Sequence, residues 1–190
     1  MSRPRPPQSS RSTTKPSVRT SHTLTVPRWA ALALGPLVFL GVIPLIHGVV
    51  PWGMSLLAHR HGWVDGRPAP WNFLGLLPVA AGAVVLVWLL VLGMGLGSEL
   101  PARVALDWSP KVFLTRGPYA VSRHPMYLAE IGLWLGWSIL FGSVAVLLGC
   151  LLVCIGVGLI APREELALES KFGAAYRQYQ ATVPRWLGHW

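Results

Sequence analysis

The stretch that decides the fold is MYLAEIGLWLGWSILFGSVAVLLGCLLVCIGVGLIA, residues 126–161, in which Glu130 is the single charged residue. One membrane helix needs about 20 apolar residues, so these 36 are too many for one ordinary span. They read as a hairpin of two helices turning near Phe141-Gly142-Ser143. Each arm is then short, which implies tilting or partial immersion. Upstream, Trp29–Val50 and Trp71–Gly97 contain no Lys, Arg, Asp or Glu. The expected fold is therefore an all-α, polytopic membrane bundle of about four transmembrane segments, the last two a hairpin.

Composition excludes the soluble alternatives. Hydrophobic side chains make up 53% of the 190 residues and charged ones 12%, against about 25% charged in an ordinary soluble domain. A polar coat cannot be built from so few charges. The chain is also too apolar for disorder, and its two cysteines are too few for a disulfide scaffold. Cys150 and Cys154 stand one turn apart in the last apolar run and read as small core residues, with no metal expected.

The net charge of +9 is a topology signal. Lys and Arg concentrate in cytoplasmic loops. Six lie in residues 1–28, four between Ser98 and Arg123, and four after Ala161, while Arg60 and Arg67 alone lie between the first two apolar runs. With both termini inside, 14 of the 16 basic residues face the cytoplasm. Attraction to anionic lipid is secondary, and no nucleic-acid partner is implied. Residues 1–28 form a Pro-, Ser- and Arg-rich basic tail, expected to be disordered, ahead of a membrane domain over 29–190. The excess of Arg over Lys, 13 to 3, points to a GC-rich bacterial gene and hence a bacterial plasma membrane.

Two polar segments flank the hairpin, over 116–128 and 161–187. The first contains Arg116-Gly117-Pro118-Tyr119 and then Arg123-His124-Pro125-Met126-Tyr127. Pro118 and Pro125 hold Gly117 and His124 away from helical angles, so an extended strip displaying Tyr119, Arg123 and His124 is expected. Interfacial anchoring explains Arg and Tyr but not two prolines around one histidine. In the second segment, Pro162 can start or kink a helix. Glu164 and Glu165 follow, and Leu168, Phe172, Tyr176 and Tyr179 form one stripe at helical spacing. That pattern reads as a cytoplasmic amphipathic helix. Adjacent carboxylates at a low-dielectric boundary need cationic or hydrogen-bonding partners, and Arg123 or Arg163 can supply them.

In order and spacing, residues 110 to 187 resemble the isoprenylcysteine carboxyl methyltransferases and the wider group that includes the phospholipid N-methyltransferases. Gly117-Pro118-Tyr119, Arg123-His124-Pro125-Met126-Tyr127, Glu164-Glu165-x-x-Leu168, Phe172-Gly173, Tyr176, Tyr179 and Val183-Pro184-Arg185 carry the likeness. Ala129 departs from it, since the family often has glycine there. The resemblance implies S-adenosyl-L-methionine as cofactor, with Gly117, Pro118, Tyr119, His124, Pro125, Tyr127, Glu164 and Glu165 around it. It implies Glu165, Arg123 and His124 as the catalytic group and Arg163 as a substrate contact. Glu164, Glu165 and His124 all remain open as the base.

The implied activity is methyl transfer to a lipid-borne or hydrophobic acceptor, carboxylate or amine, at the cytoplasmic face. Positioning supplies most of the catalysis and no metal is needed. Membrane lipids are the expected partners, with no obligate protein partner. The alternative is an NADPH-dependent membrane reductase of the sterol or steroid type.

Overall fold

The computed structural model describes residues 24–95, 102–105 and 113–188. Most of the basic tail expected over 1–28 lies outside them. Strand β1 (Thr25–Pro27) leads into α1 (Arg28–Pro44), which continues through a π-helical turn (Leu45–Val49) into α2 (Val50–Ser55). A two-residue hairpin, β2 (Trp63–Val64) and β3 (Arg67–Pro68), and a 3-10 turn (Pro70–Gly75) precede α3 (Leu76–Gly95). Strand β4 (Arg103–Ala105) pairs antiparallel with β1. A second 3-10 turn (Gly117–Ala120), α4 (Pro125–Phe141), α5 (Val144–Phe172) and α6 (Ala174–Thr182) complete the chain.

The architecture is all-α with two minor strand pairs. Among the described residues three helical runs are long and apolar enough to cross a membrane: Arg28–Ser55, Pro70–Gly95 and Val144–Phe172. The fourth expected segment is shorter, 17 residues over Pro125–Phe141, or about 25 Å at 1.5 Å per residue against a core of about 30 Å. The hairpin turns where the sequence places it. Gly142 adopts φ +56°, a left-handed angle at which a Cβ would collide with the His61 backbone. The Ser143 hydroxyl then caps α5 by accepting from the Val146 amide.

Glycines let α3 lie close against α4. A Cβ at Gly82 would stand 2.7 Å from the Ala129 carbonyl, and one at Gly136 would meet the Gly75 carbonyl and Val79. Small residues permit such contact where lipid supplies no hydrophobic drive between helices. Outward faces of the long helices carry exposed Leu37, Leu40, Leu77, Val84, Leu152 and Leu159, the surface a helix presents to lipid. Glu130 is paired inside the bundle, its Oε1 3.4 Å from Nε2 of His47 on the π-helical turn.

Two local expectations change. Pro162 starts no helix; it lies inside α5, which runs unbroken for 29 residues. At about 43 Å, α5 is longer than the hydrocarbon core, so its polar end projects beyond it. The break comes at Gly173, φ +54°, and α6 follows. The stripe is therefore divided between α5 and α6, yet the Gly173 turn brings it together. Tyr176, Tyr179 and Val183 pack with Phe113, Leu168 and Phe172. The second change concerns 116–124, where Gly117–Ala120 is a 3-10 turn rather than an extended strip.

Candidate active site

The start of α4, the polar end of α5 and the C-terminal segment converge at one end of the bundle. Gly117 takes φ +64°, which a residue without Cβ tolerates before Pro118. Pro118 opens the 3-10 turn and Pro125 occupies the first turn of α4, where the missing N–H leaves nothing unpaired. His124 is the residue before α4, at φ −127° and ψ 57°. The two prolines thus aim Tyr119 and His124 across the mouth of the bundle.

The C-terminal segment fastens this turn. The Arg123 amide donates to the Pro184 carbonyl at 2.9 Å, and the Ser122 hydroxyl donates to the Arg185 carbonyl at 2.9 Å. Ser122 Oγ also accepts from the His124 amide at 3.1 Å. From α6, the Tyr179 hydroxyl donates to the Tyr119 carbonyl at 2.7 Å.

Glu165 is the hub, 4% exposed. Its Oε1 accepts from Arg185 Nε at 3.0 Å and its Oε2 from Arg185 Nη2 at 2.8 Å. His124 Nε2 lies 3.1 Å and Arg123 Nε 3.4 Å from Oε1. Two guanidinium groups against one buried carboxylate supply the partners that burial demands. Glu164 faces the other way, half-exposed, with Oε1 accepting from the Tyr127 hydroxyl at 2.6 Å. Its Oε2 stands 3.8 Å from His124 Nδ1. The His124 and Tyr127 rings stack at 5.4 Å, and Trp186 lies 5.6 Å from His124 on another side.

A cavity of about 160 Å³ opens among Tyr119, Arg123, His124, Tyr127, Glu164 and Tyr176. Electrostatics follow from burial. His124 is held below the ordinary imidazole range chiefly by burial, assisted by Arg123 and opposed by both glutamates. Burial, with Glu164 adding to it, raises the Tyr119 phenol, and burial pushes Tyr176 up to about 12. The bond to Glu165 raises Arg185. The wall combines the Glu164 carboxyl, the Arg123 guanidinium, the His124 imidazole and phenol rings.

The sequence-predicted residues divide. His124, Pro125, Tyr119, Tyr127, Arg123 and Glu164 line the cavity together. Glu165 touches His124 from behind and lies outside the lining. Gly117 packs toward the Trp88 indole, and Pro118 lines a separate apolar pocket between α3 and α4. Arg163 is exposed and lies outside the lining; Arg185, not Arg163, grips Glu165. Arg185, Ser122 and Trp186 are contributors the sequence expectations do not assign. The Val183-Pro184-Arg185 tripeptide signals Arg185 alone, and no sequence pattern marks Ser122 or Trp186. Among the described residues no group of three or more His, Cys, Asp or Glu is placed to hold a metal ion.

Sequence comparisons give this end of the bundle a class. The family model described as phospholipid methyltransferase matches residues 107–175, which contain His124, Tyr127 and both glutamates. An uncharacterized protein of Haemophilus influenzae is 38% identical over 63 residues, 33% of this chain and 100% of that protein. No solved structure matches the chain. Over residues 107–175 the chain is similar to the phospholipid methyltransferase family, which supports a membrane methyltransferase kind of function.

Proposed function

We propose that the protein transfers a methyl group from S-adenosylmethionine to a lipid-borne or hydrophobic acceptor at the cytoplasmic membrane face. One observation carries this reading: the Glu164 carboxylate and the stacked His124 and Tyr127 rings face one small cavity at the end of an apolar bundle. A sulfonium cation suits that lining, because an anion and aromatic faces both attract positive charge. The donor's amino and hydroxyl groups suit Glu164, and its carboxylate suits Arg123. Bound there, S-adenosylmethionine supplies an electrophilic methyl group.

This chain's residues would do the rest by placement. Tyr127 orients Glu164 through its 2.6 Å hydrogen bond. Glu165 and the stacked rings fix His124. Holding two reactants in line is worth up to about 7–11 kcal/mol, so a sparse site suffices. An apolar groove of about 400 Å³ between α1 and α3 shares Leu114, Tyr119 and Met126 with the cavity, which supports an acceptor arriving sideways from the bilayer. The cytoplasmic placement rests on the sequence pattern: 14 of 16 basic residues fall in residues 1–28, between Ser98 and Arg123, and after Ala161, the segments that lie on one side if both termini are cytoplasmic.

The test is ligand stabilisation of the detergent-solubilised protein. S-adenosylmethionine is expected to raise the melting temperature and NADPH to leave it unchanged. Stabilisation by NADPH and not by S-adenosylmethionine overturns the reading in favour of a reductase.

A further inference from the structure

Within the proposed methyltransfer site, the hydrogen-bond inventory around His124 can be closed atom by atom. Glu165 presents only acceptors to its neighbours: Arg185 donates to both oxygens, at 3.0 and 2.8 Å, and Arg123 Nε approaches Oε1 at 3.4 Å. His124 Nε2, at 3.1 Å from the same oxygen, must then carry a proton and donate it. A neutral imidazole with its proton on Nε2 has a lone pair on Nδ1. That atom lies on the side of Glu164, whose Oε2 is 3.8 Å away, beyond hydrogen-bond length.

We propose that Arg185 is a positioning residue which, by gripping Glu165, fixes His124 in the Nε2–H tautomer and leaves Nδ1 facing the cavity as the proton acceptor of the transfer. The inference rests on the methyltransferase reading for its chemistry but not for its geometry. It assigns the base, and it narrows the acceptor to one with a proton to lose on or after attack, such as an amine, thiol or phenol. The balance is complete. A bond forms between the acceptor's N, S or O and the methyl carbon, the C–S bond of the sulfonium donor breaks with its electron pair left on sulfur, and the acceptor's proton passes to Nδ1. The product thioether is neutral, and the imidazolium returns its proton to solvent.

A carboxylate behind an imidazole and a reactive atom in front is the arrangement by which a buried acid orients a histidine base. Here the carboxylate is itself held by a cation twenty residues downstream. Burial favours the uncharged base between turnovers, since it lowers the imidazole below its ordinary range. The charged and titratable groups facing His124 are Glu164 and Glu165 from α5, Tyr127 from α4, Arg123 from the preceding turn and Arg185 from the C-terminal segment.

The experiment is nitrogen NMR of the full chain, labelled with ¹⁵N-histidine in lipid nanodiscs, with the His124 signals identified by their loss in His124→Asn. At pH 7.5 the wild type is expected to show Nε2 protonated and Nδ1 bare. Arg185→Gln is expected to give a mixture of tautomers, and Arg185→Lys, which keeps the charge but not the paired hydrogen bonds, an intermediate ratio. Methyl transfer from labelled donor to a membrane lipid extract gives the second readout. Arg185→Gln is expected to lose on the order of tenfold to a hundredfold in kcat, as small misplacements of reacting groups do, and to shift the acid limb of the pH profile. A wild-type His124 protonated on Nδ1, or an Arg185→Gln protein with unchanged tautomer and pH profile, overturns the proposal. Failure of the wild type to bind the donor overturns the methyltransferase reading instead, and the tautomer measurement stands apart from it.

Discussion

The two ends of the bundle solve the same problem with different chemistry. Where the loop after α2 meets the α4–α5 turn, the polar groups are neutral or singly charged and face backbone. Asn72, 0% exposed, accepts from the Ala69 amide and donates to the His61 and Ile139 carbonyls. Trp63 donates to the Leu140 carbonyl, and Arg60 donates to Ser55 while lying over the Trp63 and Phe141 rings. That end is a staple. At the other end a carboxylate, two guanidiniums and an imidazole face one another behind a cavity that Arg123 and His124 line. A stapled end needs only satisfied groups; buried ion networks cost more to desolvate. Their concentration at the cavity end fits the site proposed there, because stability alone is served by the cheaper arrangement.

Removing the hub is the strongest way to break this contrast. Glu165→Ala leaves Arg123, Arg185 and His124 without their common anion, and loss of one partner from such a network costs about 3–5 kcal/mol. A large fall in melting temperature is expected, together with loss of methyl transfer. Asn72→Ala strands the amide and the carbonyls that Asn72 serves and costs about 1–3 kcal/mol. Methyl transfer measured well below the melting temperature is expected to survive it. Equal damage to activity from both variants breaks the distinction between the ends.

The hairpin is legible in the sequence because a long apolar run with one acid has few ways to fold. The polar end is legible in its parts and not in its pairing. Pro162 misleads because proline removes an amide that an interior helical turn needs, yet α5 accommodates it, and the break falls instead at Gly173, where φ is positive. Leu168, Phe172, Tyr176 and Tyr179 read as a single helical face, although a turn rather than a continuous helix brings them together. The grip of Arg185 on Glu165 and the pairing of His47 with Glu130 depend on how separate helices dock. Periodicity within one helix carries no record of that.

Acidity sharpens the contrast by a smaller amount. His124 has a lowered pKa in the folded protein, so folding disfavours its charged form. Its contribution to stability is complete above pH 6.5, the ordinary imidazole value, and is lost as the pH falls from there through the lower folded value. Amide hydrogen exchange at the start of α4 is therefore expected to accelerate as the pH is lowered below that point, once corrected for intrinsic rates. Asn72 bonds only backbone groups, the Ala69 amide and the His61 and Ile139 carbonyls, and protection of that turn is expected to change less. The smallest effect belongs to Arg163, which is exposed and away from the cavity. Arg163→Ala is expected to change stability by no more than about 0.5 kcal/mol and to leave transfer of label intact.

The most direct measurement is methyl transfer itself: wild-type, His124→Ala and Asn72→Ala proteins, each incubated with radiolabelled S-adenosylmethionine and a membrane lipid extract, with label counted in the lipid phase. Label in the lipid fraction with wild type and Asn72→Ala, and its loss with His124→Ala, is the predicted result. Undiminished transfer by His124→Ala would contradict the placement of the reaction at this end of the bundle.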